Sequence, residues 1–177
     1  EESEMCIAGV FGGAGSGIKN DTTSVFLESA YFSPSSIRKT SKLHGLKTDA
    51  SFRYERGTDP EITVIALRRA AELILEVAGG EIVSGISDLY PQPVNPFRIE
   101  LNSEYVDRFS GLVIERDVIR SILIDLGIKI ISSNEKSLVV EVPSYKVDVM
   151  RPVDLVEEIL RVYGYNSVPV PSKLNAS

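Results

Sequence analysis

Three prolines within six positions, Pro91, Pro93 and Pro96, constrain this chain more than any other feature. Proline has no amide proton and a fixed φ, so neither a helix nor a central strand can run through them. Such a stretch reads as a linker and places a domain boundary near Val94. The expectation is two modules, residues 1–94 and 95–177, each able to bury a modest core.

In the first module, Met5 to Phe11 is a short apolar run that reads as a buried strand, with Cys6 as a small buried residue rather than a nucleophile. A lone cysteine excludes an internal disulfide and suits a reducing cytosol. Gly12 to Gly17 follows as a glycine-rich turn beside a ligand pocket, because the Lys-Ser/Thr that a P-loop needs is missing. Ser24 to Phe32 is β-rich and apolar apart from Glu28. One carboxylate in a strand suited to burial needs a ligand or a partner, and Arg53 or Arg56 is the structural alternative. Ser33-Pro34 starts a helix that runs to about Leu43 and ends near Gly45. Asp59-Pro60 starts a longer one, whose Ile62, Ile65, Leu67, Leu73, Leu75 and Val77 read as a broad buried stripe ending at Gly79-Gly80. Glu81 to Leu89 reads as a strand. Between the helices lies KTDASFRYERGTDP, Lys47 to Pro60, which mixes small, aromatic and ionic side chains. It reads either as the lining of a site or as a connector held by local ion pairs.

The second module reads as a strand at Phe97 to Leu101, a helix capped by Asn102 or Ser103 and ending near Gly111, and a helix from about Arg116 to Leu126. Strands Ile128 to Ser132 and Leu138 to Pro143 flank a turn as a hairpin, and a last helix covers roughly Pro152 to Tyr163. The fold class is α+β, a mixed α/β portion followed by a small module like a winged helix. In the last helix, Asp154, Glu157 and Glu158 are spaced to share one face, with Asp148 in the preceding loop. Clustered hard oxygens suit magnesium, whereas acids at a helix N-terminus are also favoured by the helix dipole alone.

The net charge of −6 argues against a surface given over wholly to nucleic acid. It is unevenly spread: Ser29 to Thr48 holds no acid but carries Arg38, Lys39, Lys42 and Lys47. That run either meets phosphates or is a solvated helix face. No apolar run reaches membrane-span length and no signal peptide opens the chain, so no membrane association and a cytoplasmic setting are expected.

Four segments, IAGVFGG (Ile7 to Gly13), FLESAYFSPSSIRKT (Phe26 to Thr40), KTDASFRYERGTDP and VDLVEEILRVYGYNSVP (Val153 to Pro169), resemble the beta subunit of bacterial phenylalanyl-tRNA synthetase in order and separation. The chain is much shorter than such a subunit, so the resemblance implies an internal piece: the C-terminal part of the editing domain, then a winged-helix-like domain. The editing domain of that family hydrolyses tyrosine wrongly esterified to phenylalanine tRNA. A phenylalanine pocket rejects an added hydroxyl poorly, so a second, hydrolytic sieve that rewards the hydroxyl is useful. By resemblance, Glu28 accepts the phenol proton, Gly12 and Ala50 give space, and Thr48 positions ester or water. No general base accompanies them, so an oriented water is expected to attack. The family's pocket histidine comes from an upstream part, and His44 does not correspond to it. The same resemblance makes Asp148, Asp154, Glu157 and Glu158 a magnesium site shared with the alpha subunit, in a heterotetramer of two alpha and two beta chains. ATP and the synthetic site belong to that assembly, and no catalytic residue for aminoacylation is expected here. The rival is a free-standing nucleic-acid-binding module or trans-editing hydrolase on the same folds.

Overall fold

The structure is a computed structural model and describes residues 4–168. The chain is α+β and divides into two units, Glu1–Val94 and Asn95–Ser177.

The first unit opens with an antiparallel pair, β1 (Cys6–Ile7) and β2 (Phe11–Gly12), where a single buried strand was expected. Gly9 divides the run: its φ of 68° is left-handed, and a Cβ there would lie 2.6 Å from Ile37 Cδ1 and 2.7 Å from Phe32 Cδ2. A tight turn therefore presses its backbone onto those side chains, in space that only glycine leaves free. Val10 is buried there, but Cys6 is exposed, against expectation, because so short a hairpin covers neither of its own flanks. Ser24 to Phe32 has no hydrogen-bonded partner strand and is irregular; Ser24 to Phe26 and Glu28 are exposed, with Phe26 at 95%, while Leu27 and Ser29 to Phe32 are half-buried. Apolar β-rich composition makes a strand only where a second strand pairs with it.

Helix α1 (Pro34–His44) starts on proline and stops at Gly45, whose φ of 65° gives the left-handed cap. Its Ile37 and Ser41 face inward, and the Ser41 hydroxyl donates to the Leu46 carbonyl. A short helix, α2 (Asp49–Tyr54), stands inside the stretch read as a lining segment. A 3₁₀ turn over Pro60–Ile62, capped by Asp59, leads into α3 (Thr63–Ala78). The expected buried stripe is not formed, since no residue of α3 is buried and Ile65, Leu73 and Val77 are exposed. Glu81 to Leu89 is not a strand either; it runs exposed and unpaired.

The second unit follows its pattern closely. Strand β3 (Phe97–Asn102), helices α4 (Ser103–Ser110) and α5 (Arg116–Asp125), strands β4 (Lys129–Ser133) and β5 (Ser137–Val142), and helix α6 (Pro152–Tyr163) appear in that order. The strands form an antiparallel sheet ordered β3-β5-β4. Register sets Ile99 against Val140 and Leu101 against Leu138, so one face is continuously apolar. Ile131 is the extra residue of a bulge between Ile130 and Ser132 and turns outward. The Asn102 side chain caps α4 at 2.8 Å, and the Asn134 carboxamide closes the β4–β5 turn by accepting from the amides of Lys136 and Ser137, both at 2.8 Å. Leu123, Leu155, Val156 and Ile159 join the sheet's face in one buried cluster.

The two units therefore respond differently to truncation. Leu123→Ala should cost about 2–5 kcal/mol in chemical denaturation of the second unit. Leu73→Ala in α3 should stay within about 0.5 kcal/mol. Equal losses would show that α3 is packed after all.

Candidate functional site

Of the residues singled out in the first unit, Thr48 links the neighbourhoods of Gly12 and Ala50. Its hydroxyl donates to the Val10 carbonyl at 2.6 Å and accepts from the Ser51 amide at 3.1 Å. Ser51 returns the favour, its hydroxyl accepting from the Thr48 amide at 2.9 Å, so the pair forms a capping box for α2. One hydroxyl thus ties the β1–β2 turn to the start of α2, which brings the exposed Gly12 and the exposed Ala50 to one region. The only hydroxyl proton of Thr48 is committed to Val10, so toward a ligand or water this group has just a lone pair to offer. Open space lies where a Gly12 Cβ would stand.

Glu28 stands exposed on the irregular Ser24 to Phe32 segment and forms neither a hydrogen bond nor an ion pair among the described residues. The bridge to Arg56 is not made, because Arg56 pairs with its neighbour Glu55 at 3.1 Å. Burial first, and the Glu28 charge second, raise the Tyr54 hydroxyl above the ordinary tyrosine range. Tyr54 is held edge-on to Phe32, with ring centroids 4.9 Å apart, and Phe32 itself meets the Gly9 turn. Phe32 and Tyr54 were missed as neighbours of the site. Their positions, just after Glu28's segment and at the end of α2, carry no sequence signal that they would meet.

The acids of the second unit are already engaged. Both oxygens of Asp154 are used: Oδ2 accepts from the Met150 and Arg151 amides at 3.1 and 2.8 Å, and Oδ1 accepts from the Arg151 guanidinium at 2.9 Å. The Arg151 hydrogen bond leads in holding Asp154 below the usual carboxylate range. Glu158 accepts from Lys146 Nζ at 2.7 Å through Oε2 and from Arg161 at 2.7 Å through Oε1. Burial pushes its pKa up, but the hydrogen bonds and charges of Lys146 and Arg161 prevail, and the net shift is downward. The charge of Asp148 also reaches Arg161, while Glu157 is exposed. Among the described residues no group of three or more His, Cys, Asp or Glu side chains could hold a metal ion. As disposed here, these four acids do not fit a magnesium site, because two of them are saturated by the chain's own cations. A surface concavity of this unit lies elsewhere, lined by Asn102, Glu104, Tyr105 and Arg108, of which only Asn102 was named, as a helix cap.

Both depressed carboxylates stabilise the fold above their unfolded pKa values, about 3.9 for Asp and 4.3 for Glu. That stabilisation is lost as pH falls through the lower folded values. The melting temperature of the second unit should therefore drop below about pH 4. Glu158→Gln should cost about 1–3 kcal/mol near neutrality and flatten the acid dependence. An unaltered pH profile in that variant would remove Glu158 from the anchor.

Residues 1–79 match the family model described as the B3/4 domain, and residues 99–165 match the tRNA synthetase B5 domain. The chain is 51% identical over all 177 residues to a protein named "Phenylalanine--tRNA ligase beta subunit" from Bacteroides fragilis, and covers 22% of that relative. A beta subunit from Porphyromonas gingivalis is 50% identical over 173 residues, 98% of this chain and 21% of the relative. One from Geobacter metallireducens is 42% identical over 169 residues, 96% of this chain and 21% of its own length. The chain thus spans about a fifth of the length of the curated relatives it matches. No helix among the described residues is long and apolar enough to cross a membrane. With both domains matched in order and the similarity running from end to end, the chain belongs to the phenylalanine–tRNA ligase beta-subunit family.

Proposed function

We propose that the first unit supplies one wall of a hydrolytic editing pocket that removes tyrosine from phenylalanine tRNA. The observation that carries this reading is the Glu28 carboxylate, exposed, without an ion pair, and close enough to a phenol to raise its pKa. A carboxylate so placed rewards a tyrosine hydroxyl with a charge-assisted hydrogen bond, and phenylalanine leaves it unpaired. Gly12 and Ala50 leave room for the aminoacyl group, and Thr48 can accept a hydrogen bond from the attacking water. Hydrolysis then rests on orientation of that water rather than on a general base, since the one histidine, His44, is an exposed residue at the end of α1 and does not match the family's pocket histidine.

In this reading the second unit serves assembly with an alpha subunit, in a cytoplasmic heterotetramer that charges tRNA with ATP supplied at the alpha subunit. Similarity that spans both units in order supports a subunit over a free-standing editing hydrolase. Magnesium at Asp148, Asp154, Glu157 and Glu158 would require Lys146, Arg151 and Arg161 to release the acids first. No step of the proposed hydrolysis depends on it.

In a beta subunit assembled with its alpha partner, Glu28→Ala should slow deacylation of tyrosyl-tRNA by about ten- to a hundred-fold, the worth of one charge-assisted hydrogen bond. Charging with phenylalanine and the melting temperature should stay near wild type, because Glu28 holds no other residue in place. A lowered melting temperature with editing reduced only in proportion would make Glu28 a structural residue and sink the reading.

A further inference from the structure

We propose that Ser51 is a positioning residue for the candidate editing pocket. It fixes the direction of the one free lone pair on the Thr48 hydroxyl, and with it the place of the attacking water. This inference rests on the editing reading above and adds to it a residue that touches neither ester nor water.

The shortness of α2 makes such a residue necessary. The helix has 6 residues, fewer than two turns. A helix so short has almost no stability of its own, so its cap sets the geometry of its first turn. The far end is tied independently: Arg38 of α1 donates to the Glu55 carbonyl at 3.0 Å, and the Glu55 amide donates to the Ser51 carbonyl at 2.9 Å. The near end depends on the pair Thr48 and Ser51.

Three hydrogen bonds join that pair. The Ser51 hydroxyl accepts from the Thr48 amide at 2.9 Å and donates to the Thr48 carbonyl at 3.0 Å. The Ser51 amide donates to Thr48 Oγ1 at 3.1 Å. Ser51 therefore holds both main-chain polar groups of Thr48 as well as its hydroxyl oxygen. A hydroxyl carries one proton and two lone pairs. In Thr48 the proton goes to the Val10 carbonyl at 2.6 Å and one lone pair takes the Ser51 amide. With two of its three directions occupied by main-chain groups, the remaining lone pair has a single direction. Threonine otherwise has more than one staggered rotamer open to it, and these bonds select one.

Burial separates Ser51 from the residues it would serve. It is 2% exposed, whereas Gly12, Glu28 and Ala50 are exposed and Thr48 is half-buried. Among the described residues every hydrogen bond of its side chain goes to Thr48. Its influence on an ester or a water must therefore pass through Thr48. Misplacing a reacting group by about 1 Å costs about a hundredfold in rate, so a small error in the Thr48 rotamer is enough to be felt. Ser41 supplies a matched case in the same unit. It is buried too, and its hydroxyl donates to the Leu46 carbonyl at the end of α1, not to Thr48.

The test is the kinetics of tyrosyl-tRNA deacylation by a beta subunit assembled with its alpha partner. Ser51→Ala should lower kcat by about ten- to a hundred-fold and keep KM within about twofold, because Ser51 makes no contact with substrate. Ser51→Cys keeps the volume but weakens both hydroxyl bonds, so it should show the same split at a melting temperature near wild type. Thr48→Val should itself slow deacylation, and adding Ser51→Ala to it should cost nothing further, since the hydroxyl that Ser51 aims is gone. Ser41→Ala should leave kcat unchanged. The proposal is overturned if both Ser51 variants keep kcat within about twofold of wild type. It is also overturned if the losses in the double variant add, or if Ser41→Ala loses as much kcat as Ser51→Ala. Deacylation unchanged in both Glu28→Ala and Thr48→Val would sink the editing reading instead. Slow deacylation in those two with normal kcat in the Ser51 variants would sink this inference alone.

Discussion

Exclusion of water from one face of the β3-β5-β4 sheet is the interaction on which the second unit depends. Leu138, Val140 and Val142 alternate inward along β5, and Ile99 and Leu101 of β3 stand opposite them in register. Leu155, Val156 and Ile159 of α6 close the same cluster. Each fully buried aliphatic side chain contributes about 1.5–3 kcal/mol, and the period-2 and period-3.6 patterns that place them agree with one another. Local and global preferences coincide, and such agreement makes a fold legible.

The first unit is organised by a few directional contacts instead. Val10, Ile37 and Pro60 are its buried apolar residues among those described. Around them the Thr48 hydroxyl, the Gly9 turn and the edge-on Phe32–Tyr54 pair hold the hairpin, α1 and α2 together. A cap or a single hydrogen bond contributes about 1 kcal/mol, so such a unit is specified without being strongly stabilised. The consequence for function is direct. Glu28 and the basic flank of α1 stay open to solvent because little apolar surface is drawn over them.

What the sequence made legible follows this division. The ends of α1, α4 and α6 were readable because proline starts, an asparagine cap and glycine stops act within one turn of chain. The order of the second unit was readable because hairpin and helices are neighbours in sequence. The failures all concern segments whose state depends on a remote partner. Ser24 to Phe32 and Glu81 to Leu89 have strand composition but no strand beside them. Helix α3 has the apolar spacing of a buried helix, but its stripe is only half-covered among the described residues. In the candidate site the residue types were legible, while the reach of the Glu28 charge to Tyr54 was not, since the two lie on segments remote in sequence that meet where Phe32 stands edge-on to Tyr54.

Charge is used in opposite ways in the two units, and the difference separates what holds the fold from what is left to meet a ligand. At the start of α6, Arg151 and Asp154 join their side chains across the first turn, and Lys146 fastens the preceding loop to Glu158 at 2.7 Å. There both oxygens of each carboxylate accept from the chain itself, so the arrangement stabilises the fold. In the first unit the side chains of Glu28, Lys39, Lys42, Lys47 and Arg53 make no hydrogen bond or ion pair among the described residues. An unsatisfied charge in water costs the fold little, whereas the same charge in a closed complex gains a strong hydrogen bond or a phosphate. A site that must discriminate between phenol and benzene needs such a group held in reserve. The exposed carboxylate of Glu28 meets that requirement where the ion-paired acids of α6 do not.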